Sequence, residues 1–107
     1  MITVSASRRA GSYLTFESRG HADYSEEGTD IVCAAVSALV INAVNSLETF
    51  TKDHFTAADE DGLVKIRFEK EQSPEGKLLM DSLLLGLTEI SRSYGKKYLT
   101  VKIREVQ

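Results

Sequence analysis

The residues of this chain best equipped for chemistry are one cysteine and one histidine. Cys33 is the only cysteine among the 107 residues, and His21 is one of two histidines. They share the run Gly20-His21-Ala22-Asp23-Tyr24-Ser25-Glu26-Glu27-Gly28-Thr29-Asp30-Ile31-Val32-Cys33-Ala34-Ala35-Val36-Ser37. Thr29 or Asp30 is a good N-cap, because either side chain accepts from the unpaired amides of a first helical turn. With Asp30 as N-cap, Cys33 falls at the third helical position. Unpaired amides and the positive end of the helix dipole both stabilise a thiolate there. An imidazole nearby takes the thiol proton, and the amides around Ile31 to Ala34 are expected to hold an oxyanion. The reaction class that follows is acyl transfer from an amide or ester to Cys33, then hydrolysis.

Each residue also has a purely structural reading. A lone cysteine among Val32, Ala34 and Ala35 is also a small core side chain. Asp30 caps the helix, orients His21, or does both. Pointed at the thiol, it would raise the thiol pKa. Ser37 lies one turn after Cys33, where it lines a site or bonds back to the carbonyl of Cys33. His54, after Asp53 at a helix exit, reads as a surface or turn histidine, and His21 is the preferred base. Cys33, His21, Asp30 and His54 have no metal-ligand spacing, so no metal or other cofactor is expected. The glycines match no phosphate loop. A redox role would need a resolving cysteine that the chain lacks.

The elements that must position these groups follow from hydrophobic period. Ile2 to Arg8 alternates, with Ile2, Val4 and Ala6 inward. A turn over Arg9-Ala10-Gly11-Ser12 leads to Tyr13 to Ser18, with Leu14 and Phe16 inward. Gly20 releases His21 from that strand, and residues 22 to 29 read as a polar loop. A helix then runs to about Leu47 or Phe50. It is apolar over more than one face, so a sheet alone cannot cover it. The rest needs a second helix or a second subunit. Phe55 to Asp59 and Leu63 to Glu69 form a hairpin about Asp59-Glu60-Asp61-Gly62. Ser73-Pro74 starts a second helix, with Leu79, Met80, Leu83, Leu84, Leu87 and Ile90 at helical spacing, and Gly95 stops it. Tyr98 to Glu105 is a last strand, with Leu99, Val101 and Ile103 inward. The order β-β-α-β-β-α-β predicts a single small α+β domain over residues 1–107. Its sheet is mixed or mainly antiparallel and packed by two main helices.

Bulk composition agrees. The chain is 42% hydrophobic and 27% charged, with net charge −3, an ordinary globular balance. No global basic field recruits nucleic acid. Lys96, Lys97, Lys102 and Arg104 form at most a local patch, either a solvated strand face or a contact for an acidic partner. No charged leader precedes a long apolar run, so no signal peptide is expected. The apolar stretch Ile31 to Leu47 is broken by Ser37, Asn42, Asn45 and Ser46 and reads as a core helix, not a membrane span. The expected compartment is the cytoplasm, whose reducing conditions suit a lone reactive thiol.

Gly20-His21-Ala22, then Gly28, then Asp30-Ile31-Val32-Cys33-Ala34-Ala35-Val36-Ser37 resembles the Prp family of ribosomal-processing cysteine proteases. The resemblance extends to length and element order over nearly the whole chain. It implies an endopeptidase with a Cys–His dyad, Cys33 and His21. Asp30 would support the dyad, Ser37 would be structural or line the site, and Gly20 and Gly28 are the motif glycines. It also implies that Ala22, Asp23, Tyr24, Ser25, Glu26 and Glu27 belong to a loop over the substrate. That substrate would be the N-terminal extension of a bacterial large-subunit ribosomal protein, an extended peptide ending in an aromatic pair followed by a small residue. The acidic loop would attract a basic ribosomal-protein segment. The resemblance further implies a homodimer. The alternatives are a non-enzymatic ribosome-associated or assembly factor, or a thiol enzyme acting on another substrate.

Overall fold

The computed structural model describes residues 1–20 and 31–107 in full and the backbone of 27–30. Its elements are β1 (Ile2–Arg9), β2 (Ser12–Arg19), α1 (Glu27–Phe50), β3 (Phe55–Glu60), β4 (Leu63–Phe68), α2 (Pro74–Tyr94) and β5 (Leu99–Glu105). The strands form one sheet in the order β3-β4-β2-β1-β5. All pairs are antiparallel except β1 with β5, which run parallel. This is the expected α+β domain with a mixed sheet, and the strand order is the part that hydrophobic period left open.

One sheet face is covered by the helices. Val4, Phe16, Ile66 and Leu99 from the strands meet Val32, Val36, Val40 and Leu47 of α1 and Met80, Leu83, Leu84 and Leu87 of α2 in one core. α1 is long and apolar enough to span a membrane, with mean hydropathy 1.7 over Ile31–Phe50. Here Val32, Val36, Val40, Ala43 and Leu47 turn inward as a core stripe. The helices approach closely at Gly86, where an added Cβ would lie 2.9 Å from a Leu39 methyl. α2 starts as expected. Ser73 is its N-cap and its side chain accepts from the amide of Gly76. Asp53 in turn accepts from both the amide and the hydroxyl of Ser73. Gly95 closes the helix, with its amide bonded to the carbonyl of Ser91.

Four expectations are corrected. Leu14 was expected inward on β2, but Tyr13 is the buried residue, at 1% exposure. The cause is a bulge. Ser7 pairs with Thr15 and Arg8 with Tyr13, so Leu14 has no partner on β1 and the alternation shifts. Ile103 was also expected inward but is 42% exposed, because β5 is an edge strand whose cover fades along its length. The hairpin turn lies one residue later than read. Glu60 still pairs with Leu63, leaving Asp61 and Gly62 as the two turn residues, both with positive φ. The fourth concerns the start of α1.

Candidate active site

α1 begins at Glu27, not at Thr29 or Asp30. Gly28 and Asp30 lie inside the helix, so Asp30 is not its N-cap. Glu27, expected in the substrate loop, is the first helical residue. Cys33 is the seventh helical residue and sits in the second turn. Amides from Ile31 to Ala34 are consumed by the helix's own hydrogen bonds. The amides with no partner inside the helix are those of the first turn, residues 27 to 30. A helical side chain leans over the turn on its N-terminal side, so Cys33 is directed toward those amides. The dipole argument weakens with this shift, since the effect falls off beyond the first turn.

Cys33 is half-buried and opens into a cleft of about 180 Å³. The cleft lies where β2 ends, β1 begins, the β3–β4 hairpin turns and α1 passes overhead. Val36, Val40 and Ile41 of α1, Ile2 of β1 and Val64 of β4 give it apolar walls. Ser18, Ser37, Asp59, Gly20 and Gly62 complete the lining. Ser37 stands one turn beyond Cys33, as the helical spacing requires.

Gly20 is held in place by the sheet. Its φ is +102°, and its amide donates to the carbonyl of Gly62 over 3.0 Å. A Cβ there would come within 2.4 Å of the Met1 carbonyl oxygen. No other residue fits without moving the first strand. The chain therefore leaves β2 at Gly20, on the rim of the cleft that holds Cys33. His21, Ala22, Asp23, Tyr24, Ser25 and Glu26 lie outside the described residues, and the roles expected of them rest on the sequence. The same holds for the side chains of Glu27, Gly28, Thr29 and Asp30.

His54 is exposed, in the link that precedes β3. Its carbonyl accepts from the amide of Glu69, at the far end of the β3–β4 hairpin. At about 3.3 Å per residue along a strand, it lies about 17 Å from Asp59 at the cleft. It is not part of this site.

Two polar site residues were missed from the sequence. Asp59 was read only as the end of a strand and the start of its turn; it is in β3, paired with Val64, and it also lines the cleft. Ser18 faces inward two residues after Phe16, a position legible from strand alternation but overlooked because the hydrophobic pattern seeks only apolar residues. Among the described residues, no group of three or more His, Cys, Asp or Glu side chains could hold a metal ion.

A family model for cysteine protease Prp matches residues 1–99. The ribosomal processing cysteine protease Prp of Bacillus subtilis is 32% identical over 87 residues, covering 76% of this chain and 78% of that one. Two solved structures of the essential ribosomal processing protease Prp from S. aureus share the fold. The one with a covalently linked product peptide superposes with a TM-score of 0.87 at 29% identity. The one with a substrate peptide gives 0.88 at 27% identity. Each covers 97% of this chain and 100% of the other.

Proposed function

Because the chain belongs to the cysteine protease Prp family, we propose that it removes the N-terminal extension of a bacterial large-subunit ribosomal protein through Cys33 and His21. The observation that carries this reading is the cleft. It joins the half-buried Cys33 to Gly20, the residue from which His21 continues.

The Cys33 thiolate attacks the scissile carbonyl carbon, and the carbonyl oxygen takes up the negative charge. First-turn amides of α1 are the donors available to that oxygen. Protonated His21 gives its proton to the leaving amine as the C–N bond breaks, leaving a thioester on Cys33. His21 then takes a proton from water as the water attacks. Collapse breaks the C–S bond, releases the acid and restores the thiolate. The covalently linked product peptide of the S. aureus relative supports a thiol-bound intermediate.

The cleft suits the expected aromatic side chain. An apolar cavity of about 150 Å³ is enough for benzene, so a cleft of about 180 Å³ with five aliphatic walls admits one ring.

The protein acts as a homodimer in this reading. Only a third of the most apolar window of α1 is buried. Ile31 and Ile41 stand 53% and 56% exposed on its outer side, with the exposed Ala34 and Ala38 between them. Small residues between two isoleucines allow a second copy of the helix to approach.

The test is incubation of the purified protein, and of Cys33→Ala, with the ribosomal protein bearing its extension, read by intact mass. A single defined N-terminal loss with wild type, and none with the folded variant, is expected. No loss with wild type overturns the protease reading of this substrate. Loss with Cys33→Ala at the wild-type rate overturns the nucleophile.

A further inference from the structure

The sheet face turned away from the helices carries a charge pattern that the proposed reaction does not use. The pairing registers set Arg67, Thr15, Ser7 and Arg104 side by side in one cross-strand row, and Lys65, Glu17, Ser5 and Lys102 in the next. Lys65, Arg67, Lys102 and Arg104 are exposed, and none of them is in an ion pair among the described residues. Glu17, the acid between them, is taken by Arg19, whose guanidinium donates to it over 2.6 Å. Glu60 and Glu69 stand at the margins, on edge strand β3 and past the end of β4. A chain of net charge −3 thus gathers unpaired cations on one face.

Lys102 and Arg104 have an ordinary explanation, since cations on an edge strand such as β5 deter pairing with another chain. Lys65 and Arg67 do not, because β4 is an interior strand. Strands spaced ~4.8 Å apart put the β4 and β5 cations ~14 Å from each other across β2 and β1, with steps of ~7 Å along each strand. Hydroxyls fill the gap. Ser7 and Thr15 bond to each other over 2.6 Å, and with Ser5, Glu17, Lys102 and Arg104 they line a hollow of about 270 Å³. The pattern is two lines of positive charge flanking a strip of hydroxyls.

A protein partner needs an apolar centre, which these rows lack. Interfaces with nucleic acid are instead polar and strongly positive, with Lys, Arg, Ser and Thr on phosphate and sugar. The rows also hold no aromatic ring on which unstacked bases could lie, which disfavours a single strand. Duplex RNA fits, because its wide, shallow minor groove shows 2′-hydroxyls along the sugar–phosphate backbones. We propose that this sheet face docks on duplex RNA through its phosphates and 2′-hydroxyls, without reading sequence. The surface lies on the opposite side of the sheet from the Cys33 cleft and does not depend on the protease reading.

The probe is an end-labelled RNA duplex of about 16 base pairs, the span of a small duplex-binding domain. Its binding is followed by fluorescence anisotropy from about 50 to 200 mM salt. For wild type, log K is expected to fall against log salt with a slope of about −3 to −4, as contact with about four phosphates requires. Lys65→Gln/Arg67→Gln weakens binding and makes the slope shallower by about two, one for each cation removed. Lys102→Gln/Arg104→Gln on β5 does the same, so that misfolding of one variant, read from its melting curve, leaves the other as the test. Lys77→Gln/Arg92→Gln removes the same charge from α2 and keeps the wild-type slope. No binding at about 50 mM salt, or a slope that neither sheet variant changes, overturns the proposal. Tighter binding of polyglutamate than of the duplex overturns it in favour of an acidic protein segment. Equal binding of the matching DNA duplex, or tighter binding of the single strand, overturns the choice of duplex RNA. No arm reads cleavage, so a failure of the protease reading is told apart from a failure of this one.

Discussion

At the scale of single residues, the shift of α1 by up to four positions changes how Cys33 is activated. In the first turn, the helix alone would draw the thiol toward its thiolate. In the second turn that help fades, so the mechanism proposed above asks more of the imidazole. Mutation of the base should therefore be severe. His21→Ala is expected to lower kcat by about 10²- to 10⁴-fold, the usual worth of a positioned general acid–base. His54→Ala, at the far end of β3, should leave the rate unchanged. Steady-state rates on one peptide check both, and the reverse pattern would move the base to His54. Cys33, Gly20 and Ser37, which line the cleft, stood out in the sequence through the motif and, for Cys33 and Ser37, through helical spacing. The helix start was not. Glycine costs a helix interior about 1 kcal/mol relative to alanine, so Gly28 reads as loop. Local propensity is a weak prior, and here the helix continues through it. Ser18 was readable as inward but, like Asp59, not as part of the cleft: only the strand order brings β2, β3 and β4 to one end of the sheet beside α1.

At the scale of elements, the bulge at Leu14 does more than turn Tyr13 inward. β4 pairs with β2 only from Thr15 to Arg19, so the backbone of Tyr13 has no β4 partner. The side chain of Gln72 replaces it. Its Oε1 accepts from the Tyr13 amide over 2.8 Å and its Nε2 donates to the Tyr13 carbonyl over 2.7 Å. The phenol of Tyr13 then donates to Asp81 Oδ1 on α2 over 2.6 Å, tying sheet to helix. No hydrophobic period reveals such a link, since Gln72 reads as a polar connector. Burial, and then the bond to Asp81, push the Tyr13 phenol up to about 12. The unfolded chain gives up that proton near pH 10, whereas the folded chain holds it to about pH 12. The stabilisation is thus complete below pH 10 and is lost as pH rises toward 12, on the order of 3 kcal/mol in all. Urea midpoints measured across that window should fall steeply for wild type and more shallowly for Tyr13→Phe. Parallel curves would show that Tyr13 is not the group responsible.

At the scale of the whole molecule, the two faces differ in kind. The outer face of the sheet presents Thr3, Ser5, Glu17, Lys65, Arg67 and Lys102, all polar and suited to water. The helix layer is the apolar one. Besides Ile31 and Ile41 on α1, Leu78 and Leu85 on α2 are 68% and 64% exposed. A domain of this size has a limited core of its own, so covering that layer would add stability as well as hide apolar surface. A standard interface takes about 800 Å² from each partner, a modest share of the 6787 Å² this chain exposes. The helix layer also borders the cleft, since Ile41 is both a cleft wall and an exposed member of α1. Association through α1 would thus set one wall of the site. Wild type is expected to sediment at twice the 11.8 kDa of one chain. Ala38→Arg, which places a charge between Ile31 and Ile41 without touching the core, should sediment as a monomer. Loss of the dimer should raise KM more than it lowers kcat, because the wall that Ile41 provides binds substrate and takes no part in the chemistry. A wild-type protein that stays monomeric at micromolar concentration would remove the dimer from this account and leave α1 in need of some other cover.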